Sequence, residues 1–132
     1  MPSRPLPVTV AAILMALFSL MNFPGPWWYL VPGAVEEQPP DFVLYSGIVL
    51  GIVGIVAAVG LWLMKTWSFW TTIIVSVLNI LFNVVGLVVV SSVALWVAIA
   101  VQTIGFILAI VLIVLPDSRR ALVAAERPSR VR

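Results

Sequence analysis

The chain of 132 residues contains no cysteine and no histidine. Without cysteine it can form no disulfide framework, no thiol nucleophile and no thiolate metal site. Haem iron is usually held by histidine, and zinc sites usually draw on cysteine and histidine, so haem, zinc and quinone-type redox chemistry lose most of their support. We therefore expect no cofactor, no metal site and no catalytic residue.

Charged residues are also scarce. Charged residues make up 9% of the chain and hydrophobic residues 63%, whereas soluble domains carry about 25% charged residues. Between Asp41 and Asp117 the sequence has one formal charge, Lys65. A water-soluble domain made from that stretch would have almost no polar surface, so the sequence predicts an integral membrane protein.

Four apolar stretches have the length of a membrane-spanning helix, which needs about 20 residues. All ten prolines fall at or beyond the ends of these stretches, as uninterrupted helices require. The last two stretches are joined without a charge, and Ser91 or Ser92 is expected to cap the fourth helix. The predicted spans are 6–23, 42–64, 68–88 and 92–115, with an outer loop at 24–41 and a basic tail at 116–132.

The basic residues give such a chain an orientation. Arg4, Lys65 and the five arginines of the tail fall on one side of a four-span protein, and Glu36, Glu37 and Asp41 fall on the other. Positively charged segments stay in the cytoplasm. The sequence therefore predicts an all-α membrane protein, with four transmembrane helices in an antiparallel up-down bundle and both termini cytoplasmic.

Tryptophan and basic residues should anchor the helix ends among the lipid headgroups. At the inner leaflet we expect contact with anionic headgroups, and no nucleic acid partner, because the chain has no basic patch with interleaved aromatic residues. Trp27 and Trp28 are the expected anchors at the outer interface. The expected inner anchors are Trp62, Lys65, Trp67, Trp70, Arg119 and Arg120.

The tail should form a short helix that lies in the interface. Asp117 or Ser118 is predicted to cap this helix, and Leu122 and Val123 are predicted to dip into the headgroups. We favour a tail that anchors the chain to the membrane. Docking of the tail to a cytoplasmic partner is the alternative.

Small and polar residues recur along each predicted span at alternating three- and four-residue spacing. In lipid such residues let helices approach closely, and a repeat of this kind keeps one face toward a partner. One closed bundle is therefore predicted. The residues are Thr9, Ala12, Ala16 and Ser19; Gly47, Gly51, Gly54 and Ala58; Thr72, Ser76, Asn79, Asn83 and Gly86; and Ala98, Gln102, Gly105 and Ala109.

Asn79 and Asn83 are the strongest polar signal, because they lie one helical turn apart within an apolar span. Gln102 on the next span lies at a depth to meet one of them, and Ser76 belongs to the same stripe. We favour interhelical hydrogen bonds that fix the register of the helices. The alternative is a polar lining for a small permeant or a lipid headgroup.

Two motifs resemble those of small four-span bacterial inner-membrane proteins of unknown function. One is a Lys-x-Trp-x-x-Trp turn, which extends from Lys65 to Trp70, and the other is the Pro-x-x-Arg-Arg ending that starts at Pro116. This resemblance implies a multi-pass protein of the bacterial inner membrane and carries no activity with it. The first span lacks the glutamate of small multidrug-resistance transporters, and the chain lacks the Cys-x-x-Cys of vitamin K epoxide reductase-like proteins.

These features predict a small, non-catalytic integral membrane protein. We expect a structural or accessory component, either with a membrane-protein partner in a larger complex or as a homo-oligomer. A small channel or transporter for a neutral or polar solute is the alternative, with Asn79, Asn83 and Gln102 along a polar path. Ion-coupled transport commonly uses an acid, base or histidine inside the membrane, and the predicted spans have none outside Lys65, which lies at the inner edge as an anchor.

Overall fold

The computed structural model describes residues 4–23, 29–32 and 40–126. These residues form five helices and no strand, so the all-helical fold is confirmed. The predictions for Trp27, Trp28, Glu36, Glu37 and the last tail arginines concern positions outside the described residues. The helices are α1 (Leu6–Leu20), α2 (Asp41–Trp62), α3 (Trp67–Val89), α4 (Val93–Val114) and α5 (Pro116–Glu126).

The apolar helices indicate a multi-pass membrane protein. Within the described residues, α2, α3 and α4 are long and apolar enough to cross a membrane, and α1 is a shorter apolar helix of 15 residues. Large apolar side chains cover the outside of all four helices, which no soluble monomer tolerates over such an area. Examples on successive helices are Ile13, Ile52, Ile74 and Ile104, each about half exposed.

Helices α1 to α4 pack in a ring. α1 contacts α2 and α4, and α3 contacts the same two helices from the other side. Most of the small and polar residues with the predicted spacing are buried at these contacts. The half-buried exceptions are Thr9, Ala16, Gly47, Asn83, Gly86 and Ala98. Toward one end, the interior is filled by large apolar side chains that are almost completely buried: Val8, Met15, Leu61, Val75, Phe106 and Ile113.

Two glycines of α2 show how closely the helices approach. A Cβ atom at Gly51 would lie 2.9 Å from the carbonyl oxygen of Ser19 and 2.9 Å from the Phe23 ring. A Cβ atom at Gly60 would lie 2.8 Å from Cβ of Ser68. In lipid the hydrophobic effect does not drive helices together. Close van der Waals contact of this kind therefore supplies much of the energy that holds the helices together.

The turn between α2 and α3 ends α2 in a Schellman motif. The Lys65 amide donates to the Gly60 carbonyl at 2.8 Å, and the Met64 amide donates to the Leu61 carbonyl at 3.1 Å. Met64 has a φ of 58°, in the left-handed region that glycine usually occupies at this position. Its side chain is buried, and this apolar contact compensates for the backbone strain.

α1 ends three residues before the predicted end of the first span. Beyond Leu20 the amides of Asn22 and Phe23 donate to carbonyls three residues earlier, in a tightened last turn. The next residue in the sequence is Pro24, and a residue before proline is disfavoured in helical geometry. At 1.5 Å per residue, α1 is about 22 Å long and α3 about 34 Å, so α1 does not reach the far end of the bundle.

The structure corrects the expected cap and the expected lipid contact of the tail. α5 starts at Pro116, so Asp117 and Ser118 lie inside its first turn, where proline is well tolerated. The Ser118 hydroxyl donates back to the Leu112 carbonyl at 2.7 Å. Leu122, which was expected to face the headgroups, packs into the core and is 1% exposed, whereas Val123 is exposed.

One end of the bundle collects the basic residues. The Arg4 guanidinium lies 3.6 Å from the centre of the Trp62 ring and donates to the Trp62 carbonyl. The Thr66 hydroxyl donates to the Leu122 carbonyl, which joins α5 to the turn between α2 and α3. We call this end, with its exposed or half-exposed Arg4, Lys65, Arg119 and Arg120, the basic end.

We expect Gly51→Ala to lower the free energy of unfolding by about 1–3 kcal/mol, because its Cβ meets backbone that cannot move aside. Gly47→Ala is the matched control on the same helix, since its Cβ would lie 3.7 Å from its nearest neighbour, the Asn22 carbonyl. Unfolding by sodium dodecyl sulfate in mild detergent, followed by circular dichroism, measures both. Equal stabilities of the two variants would contradict the close approach of α1 and α2.

Candidate functional site

Four carboxamides converge near the middle of the bundle. Asn22 lies just beyond the end of α1, Asn79 and Asn83 lie one turn apart on α3, and Gln102 lies on α4. Asn79 and Gln102 are 3% and 7% exposed, and Asn22 and Asn83 are half-buried. We call these four residues the amide cluster. They bring together the end of α1 with α3 and α4 at one depth.

The four side chains form a chain of hydrogen bonds. Asn83 donates through Nδ2 to Oε1 of Gln102 at 3.2 Å. Gln102 donates through Nε2 to Oδ1 of Asn22 at 2.9 Å, and Asn22 donates through Nδ2 to Oδ1 of Asn79 at 2.8 Å. Each bond links a different pair among the end of α1, α3 and α4. The amide cluster therefore fixes the register of these three segments relative to one another.

Two backbone carbonyls determine which way every amide points. Gln102 also donates to the Phe18 carbonyl, and Asn79 donates to the Val75 carbonyl, both at 2.9 Å. A carbonyl can only accept, so the NH₂ groups of Gln102 and Asn79 must face these oxygens. The direction of Asn22 and Asn83 then follows from their partners.

Asn83 is left with unused hydrogen-bonding capacity. It makes one hydrogen bond among the described residues, the donation to Gln102. A carboxamide offers two N–H donors and an oxygen with two lone pairs. Asn83 therefore keeps one N–H and its oxygen free of partners in the described part of the chain, at the edge of the amide cluster.

Three of the four residues predicted for a polar interior meet in the amide cluster, and Ser76 does not join it. The Ser76 hydroxyl is buried and points to the sulfur of Met15 at 3.4 Å. Sequence reasoning missed Asn22. The signal was its place three residues after Ser19, which continues the stripe of α1, but it also lies at the predicted end of the span.

A cavity of about 630 Å³ adjoins the amide cluster on the side away from the basic end. Among the described residues, α1 ends early while α2, α3 and α4 continue, and Met21 and Asn22 line the cavity from the end of α1. The described residues around it are uncharged, and most are apolar. The amides of Asn22, Asn79, Asn83 and Gln102 supply the polar part of the lining, and Gly47, Gly86, Leu95 and Ile99 belong to the apolar part.

A shallower groove runs between α2 and α3 on the outside of the bundle. It has a volume of about 450 Å³ and is almost entirely apolar. Leu50 and Phe82 line both this groove and the cavity, so the two spaces are neighbours. The other residues of the groove that belong to the exterior are Phe42, Tyr45, Val49 and Leu78, all exposed.

The predicted inner anchors occupy the basic end. Trp62 stacks under Arg4, and Trp67 and Trp70 are about half exposed. The Arg119 guanidinium lies 5.3 Å from the centre of the Phe69 ring, whereas Arg120 pairs with Asp117 in the exposed first turn of α5. Such aromatic and basic groups suit a headgroup layer, where one part of the side chain is wet.

Sequence reasoning missed two contacts at the opposite end of the bundle. Trp96 donates through its indole nitrogen to the Leu87 carbonyl at 3.0 Å. Ser92 is the N-cap of α4, as predicted, and accepts from the Leu95 amide; the missed contact is the bond that its hydroxyl donates to the Pro32 carbonyl. The segment before α2 is thus tied to the turn between α3 and α4, over the region of the cavity.

Comparison with protein-family models, with curated proteins and with solved structures finds no match to this chain. Its chemistry must therefore be inferred from the amide cluster and the cavity themselves. In the described ranges there is no group of three or more acidic, histidine or cysteine side chains that could hold a metal ion. Neutral hydrogen bonding next to an apolar wall is what this arrangement offers to a ligand.

We expect Asn22→Leu to lower the free energy of unfolding by about 1–3 kcal/mol, because Asn79 and Gln102 each lose a buried partner. The double variant Asn22→Leu with Asn79→Leu should cost less than the sum of the two single variants, since it removes both ends of one hydrogen bond. Unfolding titrations in detergent measure this double-mutant cycle. Additive losses would mean that the two amides are not coupled.

Proposed function

We propose that the chain spans the membrane four times, with α1 as the first span and both termini in the cytoplasm. The ring of contacts supports this proposal, because α1 packs against α2 and α4 along an apolar bundle. The basic end supports the orientation, since Arg4, Lys65 and Arg119 belong to the side that stays in the cytoplasm. The resemblance noted in the sequence favours the bacterial inner membrane, with anionic headgroups in contact with the basic end.

We further propose that the protein is a non-catalytic, structural or accessory membrane component. The observation that carries this proposal is that all four carboxamides of the amide cluster donate hydrogen bonds within the chain, and three of their four oxygens accept one there. Amides that satisfy one another hold helices in register and have little capacity left for chemistry. Exposed apolar faces on all four helices would then contact lipid, a membrane-protein partner or a second copy of the chain.

A channel or transporter is the less favoured role for a single copy of the chain. A polar solute that passed the amide cluster would next have to pass Met15, Val75 and Phe106, which are almost completely buried in close contact. A path through them would leave the solute without hydrogen-bond partners in an apolar interior. This filled half of the bundle supports the accessory role.

The proposed topology predicts which positions a membrane-impermeant maleimide reaches from outside the cell. The natural absence of cysteine allows single-cysteine variants without a background signal. Lys65→Cys and Arg4→Cys should react only after permeabilisation, and Pro32→Cys should react in intact cells. Reaction of Arg4→Cys from outside while Lys65→Cys stays protected would remove α1 from the set of spans.

The accessory role predicts a stable companion in the membrane. Purification in a gentle detergent, followed by mass spectrometry, should recover either one membrane protein in constant proportion or a defined homo-oligomer. A chain that always emerges alone and monomeric would contradict the proposal. Solute flux in liposomes, absent from an Asn79→Leu, Asn83→Leu double variant of intact fold, would instead establish the channel or transporter.

A further inference from the structure

We propose that the cavity beside the amide cluster is a binding site for a neutral lipid whose head carries a hydroxyl group. Asn83 would hold the head through its unused carboxamide groups, and the acyl chain would leave through the groove between α2 and α3. This site is separate from the accessory role proposed above, and neither depends on the other.

The direction of the amide cluster defines the head of the ligand. Because the carbonyls of Phe18 and Val75 orient Gln102 and Asn79, the chain of hydrogen bonds must end with the Asn83 oxygen unpaired among the described residues. An unpaired amide oxygen in an apolar setting favours a ligand that donates a hydrogen bond. A hydroxyl group meets both needs, since it can donate to the Asn83 oxygen and accept from its second N–H.

The charge around the cavity excludes an ionic head. None of the described residues that line it carries a charge. A phosphate or ammonium group taken from water would find neither a counter-ion nor enough hydrogen bonds, and burial of an unpaired charge is costly. Asp41, which follows the lining residue Pro40, is exposed and does not itself line the cavity.

The groove argues for a lipid rather than a water-soluble ligand. It lies on the lipid-facing side of α2 and α3, and it offers almost no polar contact. Leu50 and Phe82 line both the groove and the cavity, so the acyl chain of the proposed ligand would pass between these two side chains. At about 30 Å³ for each water-sized group, the cavity alone holds roughly 20 such groups. That space accommodates a glycerol-sized head and part of one acyl chain, and the groove takes the remainder.

Gly47 provides a way to fill the cavity without touching Asn83. It lines the cavity, and a Cβ added there would meet only the Asn22 carbonyl at 3.7 Å, an ordinary contact. Gly47→Leu would therefore place its side chain in the space that the ligand needs. Gly47→Ala is the matched control, because it changes the same position by one small group.

Photo-crosslinking of the purified full chain in phosphatidylcholine vesicles tests the proposal. The probe is a monoacylglycerol with a diazirine in its acyl chain, and the competitors are unlabelled monooleoylglycerol and methyl oleate, an ester of the same chain without a hydroxyl. Monooleoylglycerol should compete at about tenfold lower concentration than methyl oleate, as expected for a hydrogen-bonded head. In Asn83→Leu this preference should disappear.

Saturable labelling should persist in Gly47→Ala and fall at least tenfold in Gly47→Leu, with adducts on residues of the cavity and the groove. If Asn83→Leu does not fold, the Gly47 pair still decides whether the cavity is occupied. Equal labelling in Gly47→Leu and Gly47→Ala, or adducts spread over the outer faces of all helices, would mean that the probe reacts from the surrounding lipid. That result would overturn the proposed binding site. Equal competition by methyl oleate in the unaltered chain would overturn the role of Asn83.

Discussion

A carboxamide inside a lipid-facing bundle has to find its hydrogen-bond partners within the protein, because hydrocarbon offers none. Asn22, Asn79, Asn83 and Gln102 meet this constraint by bonding to one another and to two backbone carbonyls. Sliding any of the helices by one turn would separate these partners. The register of α3 and α4, and the position of the turn after α1 against them, therefore depend on the amide cluster more than on the interchangeable apolar contacts around it.

The same cluster divides the bundle into two unlike parts. Toward the basic end the interior is filled, and α5 packs beneath it with Leu122 buried. Toward the other end α1 does not continue, and the described residues of α2, α3 and α4 line a cavity. A short first helix thus accounts both for the exposed edge of the amide cluster at Asn83 and for the space beside it. The filled part of the bundle supports the accessory role, and the part with the cavity supports the lipid site.

Local sequence patterns were sufficient for much of this architecture. The scarcity of charge predicted a membrane protein, and the prolines marked the helix ends. Counting residues along the spans put Gln102 at a depth to meet Asn79 or Asn83, and the structure pairs it with Asn83. The cap by Ser92 also follows from a local rule, since a serine before an apolar run accepts a bond from the first turn.

Features that depend on distant contacts could not be read in this way. Asn22 joins the amide cluster because the chain turns after Leu20, and its spacing from Ser19 alone could not predict that turn. The sequence around Leu122 has the pattern of a membrane-surface helix. The burial of Leu122 depends on the packing of α5 against the turn that contains Thr66, whose hydroxyl donates to the Leu122 carbonyl. The cavity lies beyond the end of α1, beside three helices that continue, so no local residue pattern predicts it.

The central claim is that the amide cluster is a dry cross-link between helices with one free edge, not the lining of a water-filled path. Side-chain amide exchange with water, followed by nuclear magnetic resonance of the ¹⁵N-labelled protein in bicelles, measures this directly. Slow exchange for Asn22, Asn79 and Gln102, with faster exchange at Asn83, is the result we expect. Rapid exchange at all four amides would mean that water reaches the whole cluster, and it would contradict the account.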